Sequence, residues 1–347
     1  MKVLSVVGTR PNLMKTAPVV AALEQRGVDQ VLVHTGQHYD DSMSDVFFRD
    51  LGMREPDQFL DVGSGTHSEQ TARVMQRLEP VLADEQPDLV LVPGDVNSTL
   101  AAAVASAKAG IPVGHIEAGL RSFDRSMPEE LNRVLTDAIS DLLFIHSPEA
   151  RDNLIREGRP ADSIHYVGNT MIDSLVAMRE QFVRPPANGY LLVTLHRPAL
   201  VDGPLLAEAA RQLNDLEMEV VFPVHPRTRA ALEAQALEVA GMTDPVGYLE
   251  FLGLVAGAAA VLTDSGGIQE ETTFLGVPCF TLRDNTERPI TVELGTNTLL
   301  GLDPQRIAEL PALIERPDAQ VPPYWDGAAA GRLADVLVSQ APIRRRS

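Results

Sequence analysis

The stretch Leu89–Ile116, LVLVPGDVNSTLAAAVASAKAGIPVGHI, decides how the rest of the chain is read. It opens on the apolar run Leu89–Pro93, crosses a polar turn, predicts a helix over Thr99–Ala109 and closes on a second apolar run, Ile111–Ile116. Short run, turn, helix, short run is the pattern of a βαβ unit whose strands are covered on both faces. Outward from it the alternation repeats. Lys2–Val7, Gln30–His34 and Leu142–His146 read as further strands, with helices over Leu13–Gln25 and Ser68–Asp84. A second series has strands at Tyr190–Leu195, Glu219–Val224, Ala259–Thr263, Pro278–Leu282 and Thr296–Leu300. Its helices fall at Leu205–Leu216, Thr228–Ala240 and Gly267–Leu275, and Gln181–Gly189 between the series reads as a hinge. The expectation is an α/β protein of two Rossmann-like doubly wound domains with an interdomain cleft. A last helix is expected near Ala328–Ser339.

Composition narrows the function. The chain has 347 residues, enough for two domains. Asp and Glu number 48 against 29 Lys and Arg, a net charge of −19. That field repels polyanions and argues against nucleic acid as a partner, while leaving room for a small phosphate ligand in a local positive pocket. The single cysteine, Cys279, excludes an intrachain disulfide and a Cys-based zinc site. No apolar run approaches the ~20 residues that span a bilayer. The N-terminal apolar stretch reaches Gly8-Thr9-Arg10-Pro11 too soon for a signal segment, so the chain reads as cytoplasmic, with no membrane partner. The histidines lack metal-ligand spacing, and no dinucleotide fingerprint or Walker A sequence is present, so no metal or cofactor is expected.

In open α/β sheets, ligands bind beyond the carboxyl ends of the strands, so polar residues there come first. Gly8-Thr9-Arg10-Pro11 follows the first strand with Lys15 one turn on, a helix start suited to an anion or simply a cap with solvated charges. Asp95 follows Leu89–Pro93, and Asn97 or Ser98 can cap the next helix, which releases Asp95 for other work. Glu117 ends the strand after that; it is either functional or held in an ion pair with Arg121, because a buried carboxylate needs a partner. His115 beside it reads as a packed, hydrogen-bonding residue rather than a metal ligand. Glu129 and Arg133 open another helix, four apart, where an ordinary stabilising pair suffices to explain them. In the second series His196-Arg197-Pro198 and His225-Pro226-Arg227 end neighbouring strands and suggest an anion site. Ser265-Gly266-Gly267 has the form strand, glycine turn, helix, which offers free amides to a diphosphate, and Glu271 one turn on could accept from a ribose hydroxyl.

Together these motifs resemble the non-hydrolysing UDP-N-acetylglucosamine 2-epimerase family. The matching pieces are GTRP with Lys15, TGQHYD at Thr35–Asp40, GDVNST, HIEAGLRS, MPEELNR, TLHRP, HPR, DSGGIQEE, the run Arg283–Pro289 and Trp325-Asp326-Gly327. They run in order along nearly the whole chain. The resemblance implies a glycosyltransferase-B-like architecture. Residues 1–172 would be the first domain with the catalytic carboxylates, 173–327 the UDP-binding domain, and 328–347 a final helix and tail packed back on the first.

It also implies inversion at C2 of a UDP-linked 2-acetamido sugar, UDP-N-acetylglucosamine to UDP-N-acetylmannosamine, by elimination of UDP through a 2-acetamidoglucal and its re-addition. Removing a proton from one face of C2 and returning one to the other calls for two positioned groups. By resemblance Asp95 takes the first proton, Glu117 and Glu129 serve the return, and Arg133 orients a carboxylate or contacts the sugar. Arg10, Lys15, His196 and the amides of Ser265, Gly266 and Gly267 would hold the diphosphate, and Glu271 the ribose. The resemblance further implies a homodimer and a second UDP-sugar acting as activator at Gln37, Arg73, Arg197 and His225. Ala199-Leu200 stands where relatives often carry Glu-Asn after His-Arg-Pro, which bears on that activator contact. Alternatives are an epimerase for a 3-acetamido or uronic acid variant, a hydrolysing 2-epimerase, a nucleotide-sugar glycosyltransferase, and a non-catalytic sensor whose carboxylates are structural.

Overall fold

A computed structural model describes residues 1–36, 48, 51–183, 189–314 and 319–340. The chain divides into two compact units, Met1–Ala177 together with the segment from Pro323 onward, and Met178–Pro322. The first holds seven strands: β1 (Lys2–Val7), β2 (Asp29–His34), β3 (Gln58–Phe59), β4 (Leu89–Pro93), β5 (Val113–Ile116), β6 (Leu142–Ile145) and β7 (Ile164–Tyr166). They pair in parallel in the order β3-β2-β1-β4-β5-β6-β7. The second unit holds β8 (Leu191–Thr194), β9 (Val220–Pro223), β10 (Met242–Thr243), β11 (Ala260–Thr263), β12 (Cys279–Thr281) and β13 (Asn297–Leu299). These are also parallel, in the order β10-β9-β8-β11-β12-β13. Each sheet therefore winds outward in both directions from its first strand, the doubly wound α/β arrangement of glycosyltransferase-B-like proteins, and each has a switch point, between β1 and β4 and between β8 and β11.

The strands are continuous apolar runs because helices cover both faces. All five residues of β4 are buried. On one face of the first sheet Val74, Leu78 and Leu82 of the helix His67–Glu85 pack with Ala101, Ala102 and Ala103 of the helix Asn97–Lys108. On the other, Val19 and Leu23 of the helix Arg10–Glu24 pack with Leu333 and Leu337 of the helix Ala329–Ser339. Arg26 ties that last helix down through Asp335 (2.8 Å) and the Gly331 carbonyl (3.0 Å). Asp173 accepts the amides of Ala329 (3.2 Å) and Ala330 (2.7 Å) at its N-terminus. The second core gathers Leu191, Val193, Phe222, Leu262 and Phe280 under Leu206 and Leu213.

Several local expectations are corrected. The strand after the alanine-rich helix begins at Val113, not Ile111, since Pro112 has no N–H to give the ladder. The edge strands β3, β7 and β10 are too short to stand out as apolar runs. Neither Asn97 nor Ser98 caps the helix they begin, for its N-cap is Val96 with no side-chain bond. Ser98 instead meets the Thr35 hydroxyl (2.8 Å), and the Asn97 amide donates to Gln70 (2.8 Å). No helix among the described residues is long and apolar enough to cross a membrane.

Candidate active site

The first switch point is crowded with charge. Gly94, at φ +64°, follows β4; a Cβ there would be strained by the backbone and would press on Lys15 Nζ at 3.1 Å and Glu117 Oε2 at 3.3 Å, so glycine suits this position. Asn12 clips the two central strands together, accepting from the Gly8 amide (3.3 Å) and donating to the Pro93 carbonyl (3.0 Å). Lys15 comes from the second turn of the same helix, and its ammonium pairs with Glu117. Both are buried. Glu117 sits in the left-handed region at φ +70°, a conformation that costs a non-glycine residue of order 1–3 kcal/mol and marks a position held by its surroundings. The structure thus pairs Glu117 with Lys15 and not with Arg121.

Arg121 instead bridges Asp137 (2.7 Å) and Glu157 (2.6 Å), and its guanidinium is held still more firmly protonated than usual, as its two carboxylate partners overcome the opposing effect of burial. His115 lies between the same Asp137 (2.6 Å) and the Gly94 carbonyl (2.7 Å). Both ring nitrogens face acceptors, so the ring braces the turn carrying Gly94. Burial works to raise the Asp137 pKa, but His115 and Arg121 prevail and hold it below the ordinary value.

Asp95 projects beyond Gly94, partly exposed, and pairs with Arg133. Arg133, almost wholly buried, also donates to Glu130 through Nε (3.0 Å) and a terminal nitrogen (2.8 Å). The expected pair of Glu129 with Arg133 gives way to Glu130 and Asp95. Glu130 also accepts the amides of Ser122 and Phe123 (both 2.9 Å), folding the loop after Gly119 onto the helix. Burial pushes its pKa up, yet these donors and Arg133 keep it below the usual carboxylate range. Glu129, half-buried, takes no hydrogen bond or ion pair among the described residues. Asn132 donates to the Asp95 carbonyl (2.8 Å) and fixes the turn. The first unit therefore gathers Lys15, Asp95, Glu117 and Arg133 at one end of β4 and β5; Arg10 is exposed at the helix start.

The second switch point is built on amides. Asp264, buried at the end of β11, accepts the amides of His196 and Arg197 (both 2.8 Å), and its other oxygen lies 3.2 Å from His196 Nδ1. It does for β8 and β11 what Asn12 does for β1 and β4. The helix Gly266–Leu275 starts at once, with Ser265 as N-cap and no side-chain bond to its first turn. A Cβ on Gly266 would come within 2.5 Å of Arg288 and 2.6 Å of Glu287, so a bare backbone is required there. Arg288 pairs with Glu287 (2.6 Å) and Glu270 (3.0 Å), and Arg283 with Glu287 (2.6 Å), a buried network from the run Arg283–Pro289. The Ser265 amide, expected to be free, donates instead to the Thr263 hydroxyl (2.9 Å). The amides of Gly266 and Gly267 in the first turn, beside fixed guanidinium groups, are the ones that suit a diphosphate. Glu271 accepts from the Tyr248 hydroxyl (2.7 Å); burial raises its pKa to about 7, against the opposing pull of that bond and with a small push from Glu270.

Of the residues expected at an activator site, Gln37 lies outside the described residues. Arg73 turns to the carbonyls of Val62 (3.2 Å) and Ser64 (3.0 Å). Arg197 approaches Glu287 at 4.0 Å, and the His225 ring, 5.8 Å from that of His196, accepts the Arg227 amide (3.2 Å). Sequence reasoning missed Asn12, Glu130, Asp137, Tyr248 and Asp264. A signal existed for Glu130 and Asp264, which stand inside the quoted motifs MPEELNR and DSGGIQEE.

The family described as UDP-N-acetylglucosamine 2-epimerase matches residues 21–338. The chain is 41% identical to the UDP-N-acetylglucosamine 2-epimerase of Methanocaldococcus jannaschii, covering 97% of this chain and 99% of that one. It is 43% identical to the UDP-2,3-diacetamido-2,3-dideoxy-D-glucuronate 2-epimerase of Pseudomonas aeruginosa, with 97% and 99% covered. The crystal structure of the M. jannaschii enzyme in complex with UDP-GlcNAc and UDP superposes with a TM-score of 0.89 at 39% identity, over 98% of this chain and all of that one.

Proposed function

The chain belongs to the UDP-N-acetylglucosamine 2-epimerase family, and on that premise we propose that it inverts C2 of UDP-N-acetylglucosamine to give UDP-N-acetylmannosamine without net hydrolysis. The observation that carries this reading is the pair of carboxylates Asp95 and Glu117 flanking Gly94, each held by its own buried cation.

C2 has no neighbouring carbonyl to stabilise a carbanion, so its proton leaves most easily when the C1–O bond breaks in the same sense. Asp95 takes the C2 proton, the C1–C2 double bond forms, and the electron pair of the C1–O bond departs on the β-phosphate oxygen of UDP. In the return, that oxygen re-forms the bond at C1 while a carboxylic acid, Glu117 or Glu129, gives C2 a proton on the opposite face. Arg133 keeps Asp95 aimed, and Lys15 does the same for Glu117. The Gly266 and Gly267 amides, with His196 and Arg10, stabilise the charge that grows on the diphosphate; Glu271 accepts from the ribose.

Incubation with UDP-N-acetylglucosamine in D₂O tests this reading. The expected result is deuterium at C2 in a mixture of two intact UDP-sugars. Free UDP with free sugar would replace it with a hydrolysing epimerase, and retained protium with unchanged substrate would remove the reading. A second substrate is favoured by the equal likeness to the P. aeruginosa enzyme. UDP-2,3-diacetamido-2,3-dideoxy-D-glucuronate carries the same acetamido group and hydrogen at C2, so the same carboxylates could serve it. Side-by-side kcat/KM values decide between the two.

A further inference from the structure

Glu271, in the helix Gly266–Leu275, is only 4% exposed, yet the protein answers just one of its oxygens. Oε1 accepts from the hydroxyl of Tyr248, the first residue of the helix Tyr248–Gly257 (2.7 Å). Oε2 takes no hydrogen bond among the described residues. A carboxylate oxygen this deep without a donor is costly, and it suits a ligand that brings hydroxyls of its own. Two titratable groups act on this carboxyl. Tyr248 favours the charged form through its hydrogen bond, and Glu270, next in the chain, disfavours it by repulsion. Arg288 meets the Glu270 charge at 3.0 Å. Burial dominates and leaves Glu271 at about 7, poised between acceptor and acid near neutral pH. Tyr248 stays a donor throughout, since burial and the neighbouring Glu271 push its hydroxyl well above the usual pKa.

We propose that Tyr248 is the positioning residue for ribose recognition: its hydroxyl occupies Glu271 Oε1 and keeps Oε2 as the acceptor for the ribose diol. The inference rests on the ribose role given to Glu271 above. A ribose offers two neighbouring hydroxyls that can donate to a carboxylate, whereas a carboxylic acid spends one oxygen on its own proton. Aim and charge therefore both matter. Without the Tyr248 hydroxyl, Glu271 loses the donor that offsets its burial, takes up a proton more readily and is freer to turn about its last torsion. Tyr248 thus acts on the nucleotide through Glu271.

Calorimetric titration of the full chain tests it without relying on turnover. UDP and 2′,3′-dideoxy-UDP are compared at pH 7, and UDP-N-acetylglucosamine, whose diphosphate does not titrate in this window, at pH 7 and near pH 8.5. The wild-type protein should prefer UDP to its dideoxy analogue by roughly tenfold or more, as expected for a hydrogen bond to a charged group. Tyr248→Phe should weaken UDP roughly fivefold at pH 7, the effect of moving the Glu271 midpoint up by about one pH unit, and leave dideoxy-UDP within about twofold. The same variant should weaken UDP-N-acetylglucosamine roughly fivefold at pH 7 and less than about twofold near pH 8.5, where Glu271 is mostly ionised in both proteins. In a Glu271→Gln background, which cannot titrate, Tyr248→Phe should act equally at the two pH values. Equal weakening of UDP and its dideoxy analogue, or a loss in the single variant that is the same at both pH values, would overturn the proposal and leave Tyr248 a packing residue. If the wild-type protein binds the two nucleotides alike, the ribose role of Glu271 fails and the inference falls with it. If it prefers UDP and Tyr248→Phe keeps that preference, the ribose role stands and the positioning role alone is lost.

Discussion

The two units share one winding but spend their switch points differently. Between β1 and β4 the chain sets side chains of opposite charge against each other, Lys15 with Glu117 and Arg133 with Asp95 and Glu130. Between β8 and β11 it strips side chains away, leaving Ser265, Gly266 and the first turn of a helix. In each case a short polar side chain, Asn12 or Asp264, fastens the two central strands together. The contrast teaches that the scaffold supplies a place and a field, while chemistry depends on which atoms are brought there. Carboxylates held by cations can move protons; backbone amides can only hold an anion.

The strongest way to break this contrast is Asp95→Asn. Turnover should fall by about 10³-fold, the range for a lost general base, while UDP affinity changes by less than about threefold. A large loss of UDP binding would show that the first switch point grips the nucleotide as well. Asp264→Ala sharpens it from the other side. It releases two partly buried amides and should cost about 1–2 kcal/mol in urea unfolding, with UDP affinity down roughly tenfold. Unchanged UDP binding would detach the β8–β11 turn from the anion site.

Acidification gives the smallest difference. Glu271 titrates at about 7 in the native second unit against an unfolded value of 4.5, so its native form binds the proton more tightly. Its stabilising contribution is full at low pH and is lost as pH rises through about 7, so going from pH 7 to 5 should stabilise the second unit by about 2 kcal/mol. In the first unit two groups oppose each other. Asp173, raised to about 6 mainly by burial, gains in the same way. His34, lowered by burial to about 4, binds its proton less tightly when folded and loses stability as pH falls below 6.5. The first unit should therefore gain nothing over this window. Trp325, the only tryptophan, reports on the first unit, and amide exchange in β8 and β11 on the second. Equal gains in both would refute the assignment.

The winding and the strand-end motifs were readable in the sequence because apolar runs and glycine turns are local signals. The partners were not. Lys15 meets Glu117 because the sheet order lays β1 beside β4 and β4 beside β5, a relation no spacing along the chain encodes. Arg133 prefers Glu130, three residues back, to Glu129, four back, because Glu130 faces inward onto the Ser122–Phe123 amides while Glu129 does not. Asp264 stands before Ser265 in the motif DSGGIQEE with no local mark of its role. Its use appears only once β8 is its neighbour.

The helix Ala329–Ser339 covers Val19 and Leu23, which were made more than three hundred residues earlier. During synthesis, then, the second unit is a continuous insert that can mature while the first still waits for its closing piece. A chain cut short near residue 320 would keep the second unit nearly whole and leave Val19 and Leu23 of the first without their cover.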